Sequence, residues 1–225
     1  MLEDLIGRND ANHGWMRLFA VALLLIFCLA FVCQGEESGK MARNNSSLVE
    51  IQAAIEAFSP KMPDDSFALI TLQEALAAAR EGNFGYGACL VNESTGEVVE
   101  RGHNHVFYPY FRSDLHAEMD VLDKYEDRMK APISKADGLA LYLSGEPSPM
   151  GLVRILSAGI MKMHYIAPVP QSGMGQARDC LPPLWKEMAK GRDYGLADCS
   201  PEIRNLSSEI INYSNEELVI KLDSA

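Results

Sequence analysis

Apolar residues that recur every three or four positions predict two amphipathic helices in the first half of the chain. The first prediction covers Leu48 to Phe58, and the second runs from about Ser66 to Arg80 with Gly82 as its stop. Beyond them, apolar stretches bounded by turn residues predict strands that alternate with helices. The strands are Gly85–Val91, Glu97–His103, Gly138–Leu143, Lys162–Ala167 and, at the end of the chain, Leu218–Leu222; the helices are Leu115–Met129, Pro149 to Gly159, Pro182–Lys190 and Pro201–Tyr213.

A hairpin followed by parallel β-α-β crossings predicts an α/β fold with three layers, α-β-α. It should contain a mixed β-sheet of about five strands with helices on both faces. We expect this domain to cover residues 48–175, and a helical extension with the last strand to cover residues 176–225.

The segment from Leu18 to Cys33 has no polar side chain in 16 residues. As a helix it would span about 24 Å, short of the roughly 30 Å hydrocarbon core of a bilayer. Residues 1–33 are therefore predicted to be either a signal peptide or a short N-terminal membrane anchor. Arg8 and Arg17 before the segment and the acidic residues after it favour an inside N-terminus and a membrane-anchored or secreted domain on the non-cytoplasmic side.

Residues 34–47 are polar and predict a flexible linker. Lipidation of Cys33 is left open, because the preceding Val32 is larger than the residue that usually stands there. In an oxidising compartment Cys180 and Cys199 are candidates for a disulfide, with Cys89 buried.

The charge balance narrows the possible partners. The 225-residue chain has 20 Lys and Arg against 31 Asp and Glu, a formal net charge of −11. Binding to polymeric nucleic acid needs clustered basic residues, so we expect no such partner. A small anionic or neutral ligand remains compatible with this composition.

Four short segments, at the predicted strands and at the loops that follow them, contain residue types that can carry out chemistry. They are Tyr86 to Asn92, Gly102-His103-Asn104, His116-Ala117-Glu118, and Glu146-Pro147 with Pro149-Met150. With their strand and helix context, these segments resemble the zinc-dependent cytidine/deoxycytidylate deaminase superfamily, especially its nucleoside, guanine and tRNA-adenosine deaminase branch. The resemblance covers about Ser66 to Pro168.

The resemblance implies a role for several residues. His116 would be the imidazole ligand of zinc, and Glu118 would be the general acid/base that moves protons during attack on the ring carbon. Asn104 and Ala117 would contact the substrate. Members of this superfamily are often oligomers, so a homo-oligomer is also compatible with the resemblance.

Both thiolate positions of the family's P-C-x-x-C pattern differ in this chain, where Ser148 and Gly151 stand in their place. A catalytic zinc site needs about three protein ligands, and a lone His116 does not supply them. We therefore expect no bound zinc unless other groups rebuild the site, for which His103, His105 and Asp114 are candidates.

Three functional hypotheses follow. The first is a membrane-tethered or exported deaminase-like domain that has lost its zinc thiolates, is catalytically impaired, and binds a small nucleobase-like ligand or a protein partner. The second is an active deaminase of a free base, nucleoside or nucleotide with a rebuilt metal site. The third is an interaction module that uses another surface.

Overall fold

Five strands form the central sheet. A computed structural model of the chain describes residues 47–131, 133, 138–174 and 178–223. The strands are β1 (Gly87–Asn92), β2 (Glu97–His103), β3 (Leu139–Gly145), β4 (Lys162–Ala167) and β5 (Asp193–Leu196), in the spatial order β2-β1-β3-β4-β5. β1 pairs antiparallel with β2 and β3, while β3, β4 and β5 run parallel. The predicted mixed sheet of about five strands is confirmed.

Helices cover both faces of this sheet. They are α1 (residues 47–57), α2 (Asp65–Glu81), α3 (Ala117–Met129), α4 (Pro149–Ser157), α5 (Pro183–Ala189) and α6 (Pro201–Asp223). Leu90 and Leu141 pack with α3 and α4 on one face, and the alternate residues Val91 and Tyr142 lie on the other face against α2. This alternation follows from the period of two along a strand. The three-layer α/β prediction is therefore confirmed.

The C-terminal part of the fold differs from the sequence prediction. The expected strand Leu218–Leu222 is wrong, because α6 continues to Asp223. Burial at Ile203, Ser207, Ile210, Ser214 and Leu218 keeps a spacing of three or four residues, which is the period of a helix.

The fifth strand is instead β5, four residues that carry little apolar pattern. Tyr194 is its main anchor, since this side chain is buried and its hydroxyl donates to the Ile160 carbonyl at 2.7 Å.

The candidate disulfide between Cys180 and Cys199, which the sequence leaves open, is not formed in the structure, where both are free thiols. Cys199 packs in the core formed by α1, α2 and α6. Leu181, next to Cys180, packs in the core on the opposite face of the sheet. The chain segments that carry the two thiols therefore pack on opposite faces of the sheet.

A buried carboxylate fixes the start of α6 against α2. Asp65 accepts hydrogen bonds from the backbone N–H groups of Lys61, Met62 and Ser200 and from the Ser200 hydroxyl, at 2.6–2.9 Å. Burial alone would raise the pKa of Asp65, but these hydrogen bonds, led by those from Ser200, lower it to about 2. The carboxylate is therefore ionised and holds the two helices together.

The apolar segment Leu18 to Cys33 and nearly all of the polar linker lie outside the described residues. Within the part of the chain that the structure describes, no helix is both long enough and apolar enough to span a bilayer.

Candidate functional site

A cavity of about 600 Å³ opens where the carboxyl ends of β3 and β4 meet the N-termini of α3 and α4. Such a position is usual for ligand sites in α/β folds, because loops and helix N-termini converge there. The cavity is lined by Phe84, Tyr86, Gly87, Asn104, His116, Ala117, Glu118, Leu143, Gly145, Glu146, Pro147, Ser148, Val169, Gln171, Ser172, Asn212, Asn215 and Glu216. We call it the pocket.

His116 and Glu118 meet at the N-terminus of α3. His116 is the extended residue before the first turn, and Glu118 lies within that turn. Nδ1 of His116 is 3.8 Å from Oε1 of Glu118. The Glu118 side chain is only 7% exposed, whereas that of His116 is 29% exposed. Burial raises the pKa of Glu118, and the positive charge of His116 partly opposes this shift.

Ser148 and Gly151 form the first turn of α4. The Ser148 hydroxyl accepts a hydrogen bond from the Gly151 N–H at 3.2 Å, so this side chain caps the helix. Gly151 lies against the Glu118 carboxylate, and a Cβ at position 151 would overlap Oε1 of Glu118. The glutamate therefore fills the space that a side chain at position 151 would need.

The other two residues expected to contact a ligand also line the pocket. Asn104 is 2% exposed, and its carboxamide oxygen accepts from the Val106 N–H at 3.0 Å. The backbone N–H of Asn104 donates to the Tyr86 carbonyl at 3.0 Å, and this hydrogen bond fixes the loop beside β1. Ala117, the first residue of α3, is buried.

One wall of the pocket was absent from the sequence prediction. α6 contributes Asn212, Asn215 and Glu216, and the side chain of Asn215 hydrogen-bonds Tyr86 on the opposite wall. A further contact fixes the helix, because the Ser214 hydroxyl accepts from the Gly85 N–H at 2.8 Å. The spacing of Asn212, Asn215 and Glu216 is that of one helix face, which is the only sequence signal that marked them.

No protein-family model matches the chain, and no curated protein matches it. Solved structures do match. One of these structures comes from a study of A-to-I editing by tRNA:A34 deaminases at the wobble position of transfer RNA. Its sequence is 25% identical to this chain and its TM-score is 0.53. The match covers 64% of this chain and 98% of the other chain. The domain has the cytidine deaminase-like fold.

Two further structures show the same deaminase fold. A guanine deaminase from Nitrosomonas europaea has 18% identity and a TM-score of 0.53, over 69% of this chain and 88% of that one. The protein NE0047 in complex with 2,6-diaminopurine has 19% identity and a TM-score of 0.53, over 71% and 86% of the two chains.

Zinc is the metal that this deaminase fold implies, held by one His and two Cys. The residues present do not fit it. His116 offers one nitrogen, the Ser148 hydroxyl is engaged as a helix cap, and Gly151 has no side chain. Among the described residues, no group of three His, Cys, Asp or Glu side chains in the pocket has ligand atoms close enough to share an ion.

The structure separates the residues considered for a rebuilt metal site. Asp114 forms a two-point ion pair with Arg112 at 2.8 Å, and does not join the histidines. Cys89 is buried in β1, and burial raises the pKa of its thiol. His103 and His105 do come together, with Glu81, but none of the three lines the pocket.

Proposed function

We propose that this deaminase-like domain binds a small, planar, nucleobase-like ligand in the pocket and does not carry out zinc-dependent deamination. The observation that carries the proposal is the position of Glu118. Its carboxylate fills the space beside Gly151, where the deaminase fold would place a cysteine ligand of zinc. The side chain in that space is therefore the glutamate that the fold's chemistry uses for proton transfer.

The pocket has the composition that a heterocyclic base requires. Phe84, Tyr86, Leu143 and Val169 supply apolar and aromatic surface, while amide and carboxyl groups stand around it. About 600 Å³ is enough for a base or a nucleoside. The net charge of −11 disfavours a polynucleotide, so a small molecule is the better candidate.

In this proposal the chain's own residues act by orientation and recognition. Asn104 is held by the Val106 N–H and the Tyr86 carbonyl, which presents its carboxamide at a fixed angle. Glu118 carries a raised pKa, so it can offer a proton to a ring nitrogen as well as accept one from an amine. His116, more exposed, stands at the mouth beside it.

Thermal-shift binding to bases, nucleosides and nucleotides, combined with an ammonia-release assay in added zinc, tests the proposal. We expect stabilisation by one class of ligand, lost in Asn104→Ala, with no ammonia released. Asp127→Asn is the matched control, because Asp127 is exposed at the other end of α3. Ammonia release that Glu118→Gln abolishes would establish an active deaminase instead, and the absence of any response would favour an interaction module.

The same proposal places the domain on the non-cytoplasmic side of a membrane. It rests on the apolar segment Leu18 to Cys33 and on the charges that flank it. Protease accessibility in intact cells, compared between the natural chain and a Leu24→Arg variant, tests it. We expect an accessible domain only in the natural chain, and protection of both would contradict the proposed orientation.

A further inference from the structure

We propose that Glu81, His103 and His105 bind a divalent transition-metal ion, with Zn²⁺ as the best match. We call these three residues the surface triad. It lies where the C-terminal end of α2 meets the end of β2, outside the pocket. The proposal does not depend on the function proposed for the pocket.

The ligand atoms of the surface triad already have the separation that a metal requires. Nε2 of His103 is 3.2 Å from Oε2 of Glu81, and Nδ1 of His105 is 3.8 Å from the same oxygen. Ligands bound at 2.0–2.1 Å in a tetrahedral site stand about 3.3 Å apart. All three ligand atoms lie within 4.8 Å of one another, so small side-chain movements would bring them around a single ion.

Each histidine has a second carboxylate at its remaining ring nitrogen. Nδ1 of His103 is 2.8 Å from Oε2 of Glu74, and Nε2 of His105 is 3.7 Å from Oδ2 of Asp120. Metal-bound histidines nearly always donate their other N–H to a carboxylate, carbonyl or water, which fixes the tautomer and strengthens the ligand. His103 already has this hydrogen bond to Glu74, and Asp120 lies within ion-pair distance of the remaining ring nitrogen of His105.

These two outer carboxylates are themselves held in place. Glu74 pairs with Arg101 at 3.2 Å. Asp120 accepts from Lys124 at 2.6 Å and from the His103 backbone N–H at 3.2 Å. Gly102 makes this approach possible, because a Cβ there would overlap Oδ2 of Asp120.

The donor set and the solvent exposure determine which ion fits. Two imidazoles and one carboxylate suit Zn²⁺ and related transition ions, whereas Mg²⁺ and Ca²⁺ prefer oxygen ligands alone. The side chains of His103, His105 and Glu81 are 14%, 22% and 37% exposed, so an ion can enter from solvent and take water as its fourth ligand. The carboxylates of Glu74, Glu81 and Asp120 outnumber the two cationic side chains, Arg101 and Lys124, and a dication would offset this surplus of negative charge.

The test is zinc titration of the full-length chain in detergent after removal of metal with a chelator. We expect one equivalent of Zn²⁺ to bind, no competition from Mg²⁺ or Ca²⁺, and an affinity reduced roughly tenfold or more in His105→Ala and in Glu81→Gln. Asp120→Asn should weaken binding less, since Asp120 positions His105 without reaching the ion.

Two histidine controls separate the surface triad from other zinc ligands. His164→Ala removes a histidine that stacks on Tyr142 at 5.3 Å, and His116→Ala removes the pocket histidine. Neither should change the zinc affinity if the inference is correct. Binding that survives both His105→Ala and Glu81→Gln in folded protein, or no binding of zinc at all, would overturn it.

Discussion

The pocket and the surface triad both place a histidine beside a glutamate, yet their electrostatics are opposite. In the pocket, burial raises the pKa of Glu118, and one histidine at 3.8 Å does not reverse the shift. Beside the surface triad, burial also acts against the ionised form of Glu74. There, however, the hydrogen bond and charge of His103, with Arg101 and Lys124, lower the pKa of Glu74.

The difference shows that residue type alone does not define a metal site. His116 and Glu118 stand where the deaminase motif leads one to expect a metal, but position 148 supplies a helix cap, and position 151 is a glycine whose side-chain space is filled by Glu118. His103 and His105 stand outside the motif's metal site, but each has a ligand neighbour and a supporting carboxylate. Whether a histidine can bind a metal depends on how many other ligand atoms lie near it and on which group holds its second ring nitrogen.

The largest expected effect comes from restoring thiolates to the pocket. The double substitution Ser148→Cys with Gly151→Cys should raise the affinity of the pocket for zinc by several orders of magnitude. It is made in a His105→Ala background, so that the surface triad does not bind zinc as well. Two Cys and His116 would then form the three-ligand set of a catalytic zinc site. Metal analysis of the purified protein measures the result. Because a side chain at position 151 must displace Glu118, the same double substitution is also made in a Glu118→Ala background. Folded variants that bind no zinc in either background would show that Ser148 and Gly151 do not occupy the thiolate positions.

Asp65 is a further carboxylate, in addition to Glu118 and Glu74, whose pKa is shifted by its surroundings. It tests whether the number of hydrogen-bond donors decides if the pKa of a buried carboxylate rises or falls. Its pKa of about 2 lies below the ordinary value of 3.8, so it stabilises the fold above pH 3.8. This contribution is lost as the pH falls from 3.8 towards 2. The shift corresponds to roughly 2 kcal/mol at neutral pH.

Asp65→Asn should therefore destabilise the protein by roughly 2 kcal/mol at pH 7 and by much less near pH 2. Denaturant unfolding at the two pH values measures the difference. Asp127→Asn, an exposed control, should show almost no loss at either pH. An equal loss for Asp65→Asn at both values would mean that the carboxylate charge does not matter.

The contact between Gly151 and Glu118 gives the next effect in size. Gly151→Ala should cost about 1–3 kcal/mol, because the added methyl group overlaps Oε1 of Glu118 and one of the two must move. The loss should shrink in the Glu118→Ala background, which denaturant unfolding of all four proteins would reveal as a coupling energy. Gly195→Ala is the control, since no atom lies within 4 Å of a Cβ there. Additive losses would contradict the packing of Glu118 against position 151.

The sequence was sufficient for features that depend on neighbouring residues. Ser148 before Pro149 predicted the start of α4, and the turn before Glu97 predicted the β1–β2 hairpin. It was insufficient where distant segments meet. The contact of Glu118 with Gly151 requires α3 to pack beside α4, and the α6 wall of the pocket requires a helix whose last turns looked like a strand.

The surface triad illustrates the same limit. His103 and His105 are close in sequence, but Glu81 and Glu74 come from α2, and Asp120 from α3. From the sequence, both histidines are candidate metal ligands together with Asp114, which lies in the same loop before His116. The structure replaces Asp114 with Glu81, because packing of α2 against β2 brings that residue within 4 Å.

The smallest effect concerns the charge of Glu118. A carboxyl group whose pKa is raised by folding stabilises the fold below its ordinary value of 4.5, and this contribution is lost as the pH rises through the folded-state pKa. Glu118→Gln removes the ionisation while keeping the shape. We expect Gln to raise the Tm at pH 7.5, because the buried amide carries no charge at that pH.

The advantage of Gln should disappear at pH 4, where the natural carboxyl group is already protonated, and thermal unfolding at the two pH values measures it. A Gln variant that is less stable than the natural chain at pH 7.5 would mean that the surroundings of Glu118 stabilise its ionised form. The pocket pair and the surface triad would then share the same electrostatics, and only the missing third ligand would separate them.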